Sequence, residues 1–307
     1  MDIFLQQLVN GLTLGAVYAV VALGYTMVYG IIQLINFAHG ELVMVGAMVG
    51  ITVVQALAPY GLPPAVVMFA ATAGAIPVCM LLGYAMERMA YRPLRGAPRL
   101  APLITAIGVS IILQHLALLV WSRNPIAFPP VFKTESYSLA GASITNIQVG
   151  IIIVCVVMMA GLAAIVYRTR LGTAMRATAQ NASVAALMGI DANRIIALTF
   201  IIGAALAAVA GILFANYYGI VHYTMGAQLG LKAFCAAVLG GIGNVPGAML
   251  GGVLLGLVEA LGAGYIGDLT GNVFGSNYQD VFAFLVLILV LVFRPSGLLG
   301  ERVGDRA

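Results

Sequence analysis

The chain has 307 residues, of which 62% are hydrophobic and only 8% charged, against roughly 25% charged in a typical soluble domain. That composition excludes a water-solvated globule and supplies apolar material for roughly eight to ten membrane segments, at about 20 residues per span. The net charge of +4 does not point to nucleic acid, because the basic residues are scattered through short loops and form no basic face.

Residues 8–29 form the first predicted span, with Gly11, Gly15 and Gly24 offering close helix contacts. No Lys or Arg precedes this apolar run and no A-x-A site interrupts it, so it is expected to be a retained span rather than a cleaved signal. Residues 42–58 and 65–85 follow as the second and third spans, separated by Pro59, Gly61, Pro63 and Pro64. A basic loop, 87–99, leads to a fourth span over 100–121 and a Pro-containing polar loop over 122–145. A fifth span covers 147–167, a second basic loop 168–194 and a sixth span 195–217. Residues 229–263 are apolar but broken by Gly240, Gly241, Gly243, Pro246 and Gly247, which fits two shorter or interrupted helices. The last run, 281–293, is thirteen residues long, about 20 Å of helix, and has to borrow flanking residues to span.

The expected architecture is all-α, one polytopic transmembrane domain over residues 1–307. Eleven arginines gather in loop 87–99, loop 168–194 and the tail beyond 293, and they set the cytoplasmic side. Only Arg123 and Lys133 fall in the opposite loop, so counting spans puts the N-terminus outside and the C-terminus inside. Tyr29-Gly30-Ile31-Ile32 and Tyr218-Gly219-Ile220-Val221 close oppositely directed spans. The echo is what an inverted repeat gives, and also what chance gives in a chain rich in Gly and Ile. Cys79, Cys155 and Cys235 lie inside apolar runs and read as packing residues.

Three polar residues, Asn36, His39 and Glu41, interrupt the boundary between the first two spans. Two readings fit them: a broken-helix element beside a substrate path, or a cytoplasmic turn in which Asn36 or His39 caps a helix and Glu41 sits in its first turn. Lys232 and Glu259 are the other ionisable groups placed in apolar runs, and the preferred reading is that they neutralise one another across antiparallel helices. His115, beside Gln114, reads as a helix-to-helix hydrogen-bond donor.

Within the second basic loop, residues 176–189 carry an amphipathic helical pattern that Gly189 terminates. Ala177, Ala185 and Ala186 allow close approach, while Arg176, Gln180 and Asn181 offer polar contacts. This is the expected docking element for a separate ATPase; the competing reading is a helix lying on the membrane. The sequence has no G-x-x-x-x-G-K-[ST], H-E-x-x-H or G-x-S-x-G motif, so no ATP-binding or proteolytic centre, no metal site and no cofactor are expected on this chain.

Several stretches resemble the LivH-type permease of bacterial branched-chain amino acid ABC importers: residues 10–15, 24–32 and 35–41, then Glu87-Arg88, residues 90–93 and 106–108. The likeness runs on through 196–200, Lys232-Ala233-Phe234, residues 236–243 and Pro295. It implies an inner-membrane complex of this subunit, a second homologous permease, two ATPase subunits and a periplasmic substrate-binding protein. The implied activity is inward passage of branched-chain amino acids such as leucine, with ATP hydrolysed elsewhere. Related permeases carry urea or short amides, and an ion-coupled secondary carrier is the alternative from another class.

Overall fold

The computed structural model describes residues 2–98, 100–139, 141–269 and 278–300. Arg99, Arg302 and Arg306, which the charge argument uses, lie outside these residues. The described chain is a polytopic helical bundle, as expected. In chain order, α1 is Asp2–Ile32, α2 His39–Leu57, α3 Pro64–Ala85, α4 Leu100–Val120 and α5 Asn146–Arg168. After these come α6 Arg170–Gln180, α7 Ala182–Leu187, α8 Ala192–Tyr218, α9 Met225–Gly240, α10 Val245–Leu269 and α11 Gln279–Phe293. Seven helices among the described residues are long and apolar enough to cross a bilayer, and α9 and α11 are shorter apolar helices. The Gly/Pro-rich stretch near 240 does break the chain into two helices, but α10 is a full-length one rather than a short one.

Two short antiparallel strand pairings accompany the helices. Strand β1 (Ile126–Ala127) pairs with β4 (Ile220–Val221), and β2 (Ser136–Leu139) pairs with β3 (Ala142–Thr145), both antiparallel.

The helices gather into two compact units. One holds residues 1–26, 134–159 and 232–307; the other holds 27–133 and 160–231. In the first unit, Gly11 and Gly15 of α1 abut the backbone of Leu257 and Val253 of α10, as expected for close glycine contacts. Leu298 N and Leu299 N donate to the carbonyls of Leu239 and Gly240, both at 2.9 Å, so the chain after α11 caps the end of α9. This satisfies carbonyls that a helix terminus leaves open.

In the second unit, α2, α3 and α8 form the core. Gly46 of α2 meets Ala208 of α8, Gly211 of α8 meets Val43 and Ala47, and Gly50 meets Ile212, so the two helices pass in close contact at these small residues. Helix α4 gives the depth at which α2 starts. Glu41 touches Ser110 and Gln114, roughly ten residues into α4, while Trp121 at its far end donates to Thr52 Oγ1 at 2.7 Å. The starts of α4 and α8 lie at one end of this unit, since Arg95 Nη1 donates to Asn193 Oδ1 at 2.6 Å. Helix α2 therefore begins level with the middle of α4 and not with its start, the placement that the broken-helix reading of residues 36–41 calls for.

The chain enters α2 and α9 by the same local geometry. Helix α1 ends where Gln33 takes φ 53° and donates its N–H to the Tyr29 carbonyl; α8 ends where Gly219 takes φ 69° and donates to Ala215. Three residues later, Asn36 Oδ1 accepts from Ala38 N and its carbonyl from His39 N, at 3.1 and 3.0 Å. Likewise His222 Nδ1 accepts from Thr224 N and its carbonyl from Met225 N, at 3.3 and 3.1 Å. One constant offset relates Gln33 to Gly219, Asn36 to His222, His39 to Met225 and Gly40 to Gly226. Tyr29 thus corresponds to Ala215, and the sequence echo that set it against Tyr218 is three residues out of register.

Candidate functional site

Glu41 sits in the first turn of α2 and is fully buried. Its Oε1 accepts from Ser110 Oγ and from Gln114 Nε2, both at 2.8 Å, while Oε2 has no hydrogen-bond partner among the described residues. Ser110 and Gln114 stand one helical turn apart on α4, so one face of that helix delivers both donors. Gln114, not His115, makes the contact between helices. His115 is exposed and its Nδ1 donates to the Ile111 carbonyl of its own helix at 2.9 Å.

Asn36 is fixed from two sides, its Oδ1 accepting from Tyr91 Oη at 2.9 Å as well as from Ala38 N. Tyr91 is itself almost fully buried, its ring tilted by 53° against Phe200 with centroids 5.2 Å apart, in a cluster with Val28, Ala106 and Ile196. Asn36 Nδ2 is buried and has no hydrogen-bond partner among the described residues. His39, the first residue of α2, is also buried. Ala38 occupies the N-cap position of α2 without a side-chain bond, so Asn36 organises the turn and does not cap the helix.

The N-terminal turns of α2 and α9 cross at glycine. A Cβ placed on Gly226 would stand 2.7 Å from the Gly40 carbonyl oxygen and 2.5 Å from Glu41 Oε2. One placed on Gly40 would strike the Gly226 carbonyl and stand 2.7 Å from Gly230 Cα. The contact is reciprocal, as a local two-fold exchange of Gly40 and Gly226 requires. Only residues without side chains permit it.

Lys232 and Glu259 do meet, Nζ to Oε1 at 2.6 Å. A second carboxylate, Asp280 at the start of α11, lies 2.7 Å from the same ammonium, an ion pair whose angles are not those of a hydrogen bond. The ammonium also sits 5.8 Å above the Tyr18 ring. Asp280 escaped the sequence reading because it stands at the margin of an apolar run and not within one. Near the basic loop, Glu87 is fully buried and pairs with Arg95, which extends to Asn193. Burial pulls the Arg95 guanidinium below its ordinary pKa, and the Glu87 carboxylate opposes that shift.

Residues 176–189 form two helices, α6 and α7, and not the single one expected. Asn181 adopts an extended backbone, and its Oδ1 accepts from Ser183 N and Val184 N at 3.0 and 3.1 Å. It therefore starts α7 in place of continuing α6. Gly189 ends the segment at φ 83°, as expected. Ala185 is buried, so it seats α7 against this chain and offers nothing to a partner, whereas Ala186, Gln180 and Arg176 are exposed and Ala177 is half-buried. Arg176 bonds back to the Val166 carbonyl and stands over Tyr167. The apolar groups that α7 and its end do present are Val184, Leu187 and Met188, the last two 87% and 79% exposed.

Residues 7–291 match the family described as "Branched-chain amino acid transport system / permease component". The chain belongs to this permease family. It is 51% identical over 303 residues to the high-affinity branched-chain amino acid transport system permease protein BraD of Pseudomonas aeruginosa, an alignment spanning 97% of this chain and 96% of that one. With the corresponding permease protein LivH of Escherichia coli it shares 46% identity over 306 residues, again 97% and 96% of the two chains. A probable LivH of Methanocaldococcus jannaschii is 29% identical over 281 residues, 91% and 87% of the chains. No solved structure matches. In this member of the permease family, the break between α1 and α2 gathers Asn36, His39 and Glu41 with Tyr91, Ser110 and Gln114, while Lys232 and Glu259 form a separate cluster with Asp280.

Proposed function

We propose that this permease is the membrane subunit of an ATP-driven importer and passes branched-chain amino acids inward without covalent chemistry. The observation that carries the proposal is the set of buried polar groups at the interior start of α2. Placing Asn36, His39 and Glu41 in lipid would cost several kcal/mol, so they face a protein interior or an aqueous cavity, where such groups mark substrate paths, and a helix that begins there opens the backbone to a cargo. These three residues are the path or gate candidates. Lys232 and Glu259, which neutralise each other and are joined by Asp280, are a second gate candidate.

The proposed assembly holds a second homologous permease, two ATPase subunits that hydrolyse ATP, and a periplasmic binding protein that delivers the cargo. Basic loops 87–99 and 168–194 face the cytoplasm, where α6 and α7 receive the ATPase. Exposed Leu187 and Met188 suit them to a protein groove. Reconstituted with these partners, the permease should take up labelled leucine in competition with isoleucine and valine but not with urea or acetamide. Competition by the amides alone would move the assignment to an amide permease.

A further inference from the structure

Glu41 presents an incomplete coordination. A buried carboxylate ordinarily uses both oxygens, since each unpartnered polar atom costs about 1–3 kcal/mol. Here two neutral donors hold Oε1, nothing described bonds Oε2, and no ion pair reaches the residue among the described residues. The first turn of α9 lies against Oε2 at Gly226, where the two helix starts cross backbone on backbone. Parting α9 from α2 at this crossing opens that side of the carboxylate. The repeat sharpens the point. By the offset that relates Gly40 to Gly226, the counterpart of Glu41 is Ala227, so a nearly symmetric crossing bears a carboxylate on one arm only.

We infer that the free oxygen of Glu41 is a binding point for a cation, the primary ammonium of the amino-acid cargo, uncovered when the two helix starts separate at the glycine crossing. An N–H of an ammonium bonded to a carboxylate oxygen is among the stronger hydrogen bonds available in such an environment. The fixed Oε1 keeps the group oriented toward the crossing whether or not cargo is present. This rests on the importer reading above. An inorganic monovalent cation would satisfy the same oxygen, and the experiment separates the two.

The test is leucine uptake by the complete transporter in vesicles, with Glu41→Gln set against wild type. The amide oxygen still accepts from Ser110 and Gln114, so a purely structural Glu41 leaves uptake unchanged. An ammonium site predicts uptake reduced roughly tenfold or more, with assembly and ATP turnover at wild-type levels and with wild-type uptake indifferent to replacing sodium by choline. Normal uptake by E41Q overturns the inference, as does loss of uptake together with loss of assembly. Wild-type uptake that collapses without sodium overturns it in favour of an inorganic ion. A wild-type assembly with no ATP-dependent uptake contradicts the importer itself, a failure visible before any variant is compared.

Discussion

Single residues decide how charge is tolerated in this bundle. Lys232 holds the buried Glu259 and the half-exposed Asp280 together, so its removal leaves an uncompensated carboxylate among apolar helices. Breaking such a pair from one side typically costs about 3–5 kcal/mol, while replacing both partners with apolar groups is far better tolerated. Lys232→Met should therefore sharply lower the yield of folded permease in a thermal-stability or size-exclusion assay, and the double variant K232M/E259L should recover much of it. Normal stability of K232M, with transport alone lost, would instead give Lys232 a role in the path. Gln33 illustrates a different constraint. It takes a left-handed backbone that costs a residue with a side chain about 1–2 kcal/mol, where the matching position in the second half is Gly219. The sequence hides this correspondence, because a glycine and a glutamine share a backbone conformation without sharing chemistry.

At the level of helices, much of the fold is legible from apolar run length, including the break after α9, where glycine and proline interrupt the pattern. The junction at Asn181 was not legible: its neighbours have helical spacing, and only the side-chain bonds to Ser183 N and Val184 N reveal that a new helix starts there. The split reverses the roles of neighbouring residues. Ala185 turns inward, and Leu187 and Met188 turn outward. Leu187→Glu should accordingly leave insertion and stability intact while reducing ATPase association or the coupling of ATP turnover to uptake, measured by copurification and by uptake per ATP consumed. Unchanged coupling would move the docking surface to loop 87–99. The polar break at 36–41 is legible from composition as a candidate site, whereas Ser110 and Gln114, its partners on α4, are not joined to Glu41 by the sequence, because contacts between helices distant in sequence leave no mark in local pattern.

For the whole molecule, the proposed topology has both basic loops on the cytoplasmic side, with the loop holding Lys133 opposite. Ser183 and Lys133 are exposed, while Thr178 is buried and reports nothing about sidedness. In a cysteine-free background, Lys133→Cys should react with an impermeant thiol reagent added from the periplasm and Ser183→Cys should not; the reverse would invert the topology. The chain's own sequence carries no nucleotide-binding motif, so transport energy is expected to come from partner subunits. Leucine accumulation in vesicles measures this most directly. The permease assembled with its second permease, ATPases and binding protein should accumulate leucine only when ATP is supplied, and the purified chain alone should accumulate none. Accumulation by the chain alone, driven by an ion gradient without ATP, would make it a secondary carrier and not an ATP-driven importer subunit.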